Sequence, residues 1–156
     1  MERGRRKQLI ERYRDGYRVV SEAVRGMTDA ELDRKPADGS WSARRVVHHL
    51  ADSEMTSAIR LRRLVAEERP AIQGYDEMAF AERLYYDGRP IAASLEALKA
   101  ARATSVEVLE RLTEAEWARE GIHSESGPYS VETWLEIYAS HAHDHAEQIR
   151  QALGKD

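Results

Sequence analysis

Four stretches of this chain repeat their apolar residues on a helical period, and none sustains the alternation of a β-strand. That restricts the fold to an all-α one. The first stretch, within residues 3–25, carries Leu9, Tyr13, Tyr17, Val20 and Val24 and stops at Gly26, an ordinary helix terminator. The second, 42–67, opens with Ser42 as N-cap and Trp41 before it, placed to staple onto Val46. It continues through Val47, Leu50, Leu61, Leu64 and Val65. The third, 90–112, begins at Pro90, which suits a first helical position, and carries Ile91, Leu95, Leu98, Ala101, Val108, Leu109 and Leu112. The fourth, 130–153, holds Val131, Trp134, Leu135, Tyr138, Ile149 and Ala152 on one face.

The connections repeat as well. Thr28 to Glu31 and Thr113 to Glu116 both have capping-box spacing. Each is followed by a Gly/Pro loop and an aromatic–Ser pair before the next long helix. The repeat predicts two helix pairs packed as a four-helix bundle, with a long crossover between helices 2 and 3. That crossover, 68–89, holds Tyr75, Phe80, Tyr85 and Tyr86. It is expected to be the least regular part of the chain, with a short helix at 78–84, and to cross one end of the bundle near a site.

Composition narrows the function. The 156 residues fit a single domain, 1–156. A net charge of -4 offers no basic field for nucleic acid, so no such partner is implied. No apolar run approaches the roughly 20 residues of a membrane span. The basic start, Met1 to Lys7, is not followed by a signal-peptide core, so a cytoplasmic location is expected. Cysteine is absent, which removes disulfides, a thiolate nucleophile and cysteine-held zinc. A metal would have to be held by His, Asp or Glu.

The histidines are placed for that. Residues four apart are neighbours on a helix, so His141 and His145 share the apolar face of the fourth helix. His143 falls opposite, with Glu132, Glu136, Glu147 and Arg150, and is expected in water. An inward His-x-x-x-His pair presents two imidazoles to one ion; the alternative is two core histidines bonded to backbone or carboxylate. In the second helix His49 lies at the border of the stripe, beside Val46 and Ser53, whereas His48 points away near Arg44 and is expected to be solvated. His49, His141 and His145 can therefore converge, leaving a coordination position open, while His48, His123 and His143 stay outside. Glu54 sits in mid-stripe, where a carboxylate needs a partner. Its readings are an ion pair with an arginine of another helix, or a proton acceptor beside a metal. Asp52 and Asp144 lie nearer the helix edges.

The run from Trp41 to Glu54, with His48-His49 inside it, closely resembles the second-helix signature of the DinB/YfiT-like family of metal-dependent enzymes, which also end in a His-x-x-x-His helix. The connection from Arg69-Pro70-Ala71-Ile72 to Tyr75-Asp76-Glu77 is similar to the YfiT branch. The resemblance implies a bundle that holds a divalent ion (zinc, nickel or iron) through His49, His141 and His145, often as a homodimer. It implies either a transferase joining a low-molecular-weight thiol to a small electrophile, or a metal-dependent hydrolase. A non-enzymatic metal-binding stress-response bundle is the third reading. No catalytic residue beyond the ligands is assigned. Glu54 departs from the YfiT-like pattern, where a histidine is expected.

Overall fold

The computed structural model describes residues 1–152; the expected helix end at Leu153 lies outside them. Four long helices form the bundle: α1 (Arg3–Ala23), α3 (Ala43–Ala66), α5 (Ala92–Leu109) and α7 (Val131–Ala152). Two single-turn helices, α2 (Asp29–Leu32) and α6 (Glu114–Trp117), begin at Thr28 and Thr113, and in both the reciprocal capping box is closed. Ser42 caps α3, accepting from the Arg45 amide at 3.4 Å. The third long helix starts two residues later than expected, since Pro90 stands before the helix and Ile91 takes the cap position.

The pairing of helices differs from the expected one. α1 packs on α7 and α5, and α3 packs on α5 and α7. Consecutive long helices within each half of the sequence thus sit on a diagonal, not side by side. The connections explain it. Each half joins its two helices through a capped turn and a loop, long enough to cross the end of the bundle, so neighbours are chosen by stripe complementarity.

The crossover is also more regular than expected. Residues Ala71–Ile72 form β1, and Glu77–Arg83 form the short helix α4, close to the expected position. The α6–α7 connection contributes a hairpin, β2 (Glu120–His123) and β3 (Gly127–Ser130), and β1 joins β2 in parallel, with Ala71 opposite Ile122. These strands were not foreseen, because two to four residues are too few to display alternation. Gly121 marks the join. A Cβ there would run into the Pro70 carbonyl, which accepts from the Ile122 amide at 2.9 Å. The sheet pins the crossover to the end of the bundle. Arg44 pins its far end, donating to Arg89 O at 2.8 Å and to Asp29 and Asp33 of the first connection.

Two apolar clusters fill the interior. One gathers Leu9, Leu61, Leu64, Leu109, Trp117, Trp134 and Leu135; the other gathers Val20, Val46, Leu50, Leu98, Ala142, Ala146 and Ile149. Between them lies a polar layer. Arg102 of α5 is 1% exposed. Its Nε stands 2.8 Å from Glu54 Oε2 on α3, and its Nη2 donates to the Tyr138 carbonyl on α7 at 3.0 Å. Nη1 donates to the Tyr13 carbonyl on α1. One guanidinium therefore touches all three other long helices. Gly16 makes room for it: a Cβ on that residue would overlap the guanidinium and lie 2.9 Å from Ala142 Cβ.

This reverses the usual sign of a helix substitution. Glycine to alanine within a helix ordinarily stabilises by about 1 kcal/mol. Gly16→Ala should instead destabilise by about 1–3 kcal/mol, the cost of overpacking a filled interior. Urea titration of the two proteins checks it; a stabilised variant would show that Arg102 has room to move.

Candidate metal centre

The helical phase of α3 and α7 brings three imidazoles together at the edge of the second apolar cluster. His49, 2% exposed, comes from α3, and His141 and His145 come from successive turns of α7. One ring nitrogen from each falls within 4.8 Å of the other two. His49 Nε2 and His141 Nε2 are 3.3 Å apart. Ring centres are separated by 5.3 Å for His49–His141, 4.9 Å for His49–His145 and 4.7 Å for His141–His145. Trp41, just before α3, stands edge-on to His49 at 5.3 Å and covers it.

Electrostatics keep two of the rings neutral. Burial, reinforced by the neighbouring His145, pushes His49 down to about 4. His141 is pushed down to about 3 by burial, by His145 and His49, and by Arg102. Neutral imidazole is the form that coordinates a metal. Two nitrogens bound at roughly 2.0–2.1 Å to a tetrahedral ion stand roughly 3.3 Å apart, the separation of the His49–His141 pair, and His145 offers a third nitrogen within 4.8 Å of both. His145 Nδ1 bonds Gln148 Oε1 at 2.8 Å; the amide oxygen accepts, so the proton lies on Nδ1 and the Nε2 lone pair is free. Gln148 was not singled out from the sequence, although a polar residue three positions beyond a candidate ligand is within its reach on a helix.

The remaining histidines stay outside this cluster, though two are less exposed than expected. His48 is fully buried: its Nε2 donates to the Arg89 carbonyl at 3.1 Å and its Nδ1 accepts from Ser94 Oγ at 2.8 Å. It does point away from the centre, but the crossover and α5 close over that face. His143 Nε2 donates to the Arg12 carbonyl of α1 at 2.9 Å and is partly buried, because α1 packs along that side of α7. His123 stands on β2, with Nδ1 accepting from the Glu125 amide at 3.3 Å.

Glu54 is settled as an ion pair. Arg102 neutralises it, while Tyr13 Oη and, at 3.1 Å, Ser57 Oγ donate to its Oε1. It is the only buried carboxylate among the described residues. Asp52 accepts from Tyr86 Oη at 2.6 Å, and Asp144 is exposed. A cavity of about 280 Å³ opens beside the centre, lined by His141, Ser53, Arg60, Tyr75, Tyr138 and His123 among others. A larger cleft of about 710 Å³ lies by the start of α1 and by α6, and none of the three histidines lines it.

A model of the DinB superfamily matches residues 12–149. The chain belongs to the DinB superfamily. An inferred metal-dependent hydrolase of Oceanobacillus iheyensis is 36% identical over 142 residues, which cover 91% of this chain and 82% of that protein. YfiT of Bacillus subtilis, named in the same way, is 36% identical over 133 residues, covering 85% and 75%. The solved structure of YfiT, described as a probable metal-dependent hydrolase with an unusual four-helix bundle topology, matches with a TM-score of 0.92 at 31% identity. That match covers 100% of this chain and 91% of the other. This DinB chain thus shares the YfiT fold, and its three clustered histidines lie inside the span 12–149.

The depressed histidines give a pH dependence to the metal-free DinB fold. In the unfolded chain each imidazole takes a proton near its ordinary pKa of roughly 6.5. In the folded chain His141 and His49 do so only near 3 and 4. Between those limits the unfolded state binds more protons, so their contribution is complete above pH 6.5 and is lost as the pH falls. Thermal melts of chelator-treated protein should show His141→Gln losing less stability than wild type between pH 7 and pH 4. Parallel curves would mean that His141 titrates normally in the fold.

Proposed function

We propose that His49, His141 and His145 hold one divalent cation, and that the protein is a metal-dependent enzyme transferring a low-molecular-weight thiol to a small electrophile. The reading rests chiefly on Glu54. Hydrolysis benefits from a base that takes a proton from the attacking water, yet Glu54, the only buried carboxylate among the described residues, is committed to Arg102, Tyr13 and Ser57. A thiol needs no such partner, since a coordinating thiol is deprotonated outright. The absence of cysteine is compatible, because the sulfur would come from a cosubstrate.

When bound, the ion would supply Lewis acidity that leaves a sulfur or oxygen nucleophile ionised at neutral pH. The chain's own contribution is positional. His49 and His141 remain neutral through burial, Gln148 holds His145 in one tautomer, and Trp41 shields His49 from water. The cavity beside His141 is the place for the body of the cosubstrate that carries the sulfur. Hydrolysis is the runner-up, and the names of the relatives favour it. Its proton acceptor would have to come from an exposed carboxylate at the cavity, Glu77 or Glu125.

Assembly is proposed on a separate observation. Met55 and Ile59, one turn apart on α3, are 45% and 58% exposed, and Ile137 on neighbouring α7 is 46% exposed. Exposed apolar side chains on two helices that pack together suit a homodimer interface formed by helix faces. Among the described residues no helix is long and apolar enough to cross a membrane.

Elemental analysis of purified wild type should find about one divalent ion per chain. His49→Ala, His141→Ala and His145→Ala should each lose most of it, while His143→Ala keeps it. Loaded protein should conjugate a thiol to 1-chloro-2,4-dinitrobenzene faster than the metal-stripped form. Retention of metal by His145→Ala together with its loss in His143→Ala would overturn the site. Hydrolysis of p-nitrophenyl esters without any thiol dependence would overturn the transferase in favour of the hydrolase.

A further inference from the structure

Five buried side-chain polar atoms have no hydrogen-bond partner among the described residues: Glu54 Oε2, Arg102 Nε, Arg60 Nε, Tyr75 Oη and His141 Nδ1. The first two face each other across the 2.8 Å ion pair. The other three belong to residues that line the same cavity of about 280 Å³. All three can donate. Arg60 Nε–H is a permanent donor, Tyr75 carries a hydroxyl held protonated by burial, and a His141 ring that gave its Nε2, which faces His49, to a metal would carry its proton on Nδ1. Buried donors without an acceptor are costly and are rare in folded proteins. Three on one cavity wall describe a site for an acceptor that comes from outside.

Arg60 is fixed in place for this. Its Nη1 donates to Tyr138 Oη at 3.1 Å and its Nη2 to the Gln73 carbonyl at 2.6 Å, so the guanidinium is anchored at one side while Nε remains available. Its Cζ stands 5.9 Å from the centre of the Tyr75 ring. The same cavity is also lined by two exposed carboxylates, Glu77 and Glu125. They oppose a multiply charged anion such as phosphate and favour a carboxylate that travels with an amine. The volume suits a group of amino-acid size.

We infer that this cavity binds the amino-carboxylate portion of the cosubstrate, with its carboxylate on Arg60, Tyr75 and His141 and its ammonium towards Glu77 and Glu125. The inference deepens the proposed function, on which its thiol rests. Arg60 and Tyr75 are binding residues that orient the thiol bearer beside His141.

The test is calorimetric binding of three small thiols to zinc-loaded protein: L-cysteine, cysteamine (no carboxylate) and 3-mercaptopropionate (no amine). Metal content is measured on every variant. L-Cysteine should bind at least about 10-fold tighter than cysteamine, the value of a charge-assisted hydrogen bond, and tighter than 3-mercaptopropionate. In Arg60→Gln the advantage over cysteamine should vanish with zinc content unchanged. Tyr75→Phe, which deletes one hydroxyl, should weaken L-cysteine several-fold and leave cysteamine alone; it decides the matter if Arg60→Gln does not fold. In Glu125→Gln the gap between L-cysteine and 3-mercaptopropionate should narrow. Equal affinities of L-cysteine and cysteamine in wild type, or an equal loss of both in Tyr75→Phe, would overturn the inference. Failure of the protein to take up zinc would instead defeat the metal reading. The cavity is then judged by S-methyl-L-cysteine against its decarboxylated analogue on metal-free protein, where the Tyr75→Phe loss should persist and its absence refutes the subsite.

Discussion

The interaction on which the bundle depends is the buried contact between Arg102 and Glu54. A guanidinium and a carboxylate taken out of water lose most of their solvation, and their attraction roughly restores it only when the remaining hydrogen-bonding capacity is filled. Here Tyr13 and Ser57 complete the carboxylate, and the backbone carbonyls of Tyr13 and Tyr138 complete the guanidinium. The pair is therefore a poor source of net stability but a strict geometric constraint. Removing either member alone would strand the other at a cost of about 3–5 kcal/mol. Because Arg102 contacts α1, α3 and α7 at one level, it sets the register of the four long helices against one another. Leucine packing tolerates sliding far better than this contact does.

That register places the histidines. Glu54 is five residues beyond His49 on α3, and the Tyr138 carbonyl that receives Arg102 is three residues before His141 on α7. A slip of one helix along the other would break the ion pair and separate His49 from His141, whose nitrogens are 3.3 Å apart. The arginine also acts at a distance: its permanent charge is among the causes that hold His141 neutral. The polar layer thus does for the centre what a connected apolar core could not. It fixes helix register and biases a ligand towards its coordinating form.

Much of this was legible in the sequence, for identifiable reasons. Helical phase is local, so the stripes of α3 and α7 were enough to select His49, His141 and His145 and to set His48 and His143 apart. Capping boxes are also local, and both stand where the Thr-x-x-Glu spacing put them. What escaped is non-local. The burial of His48 depends on Arg89 and Ser94, more than forty positions away, and that of His143 on α1. The diagonal helix order depends on how long connections cross the bundle end, which periodicity does not encode. Gly16 is the exception, a local signal of a distant contact: a glycine within an otherwise good helical stripe marks a close approach, and the group approaching is Arg102.

Glu54 shows how a departure from a family pattern can be read physically. Where a histidine is expected, this chain has a carboxylate whose partner, Arg102, occupies space cleared by Gly16. The three residues make sense only together. A histidine at 54 would leave Arg102 buried without a counter-charge, and a side chain at 16 would exclude the guanidinium altogether. A carboxylate so engaged faces away from proton transfer, which shifts the burden of chemistry from a protein base to whatever enters the neighbouring cavity. There the polarity is inverted: the bundle centre has its charges matched, whereas the wall formed by Arg60, Tyr75 and His141 presents donors with nothing to receive them. Matched groups hold the helices in place, and the unmatched ones mark where the fold leaves an interaction for a ligand to complete.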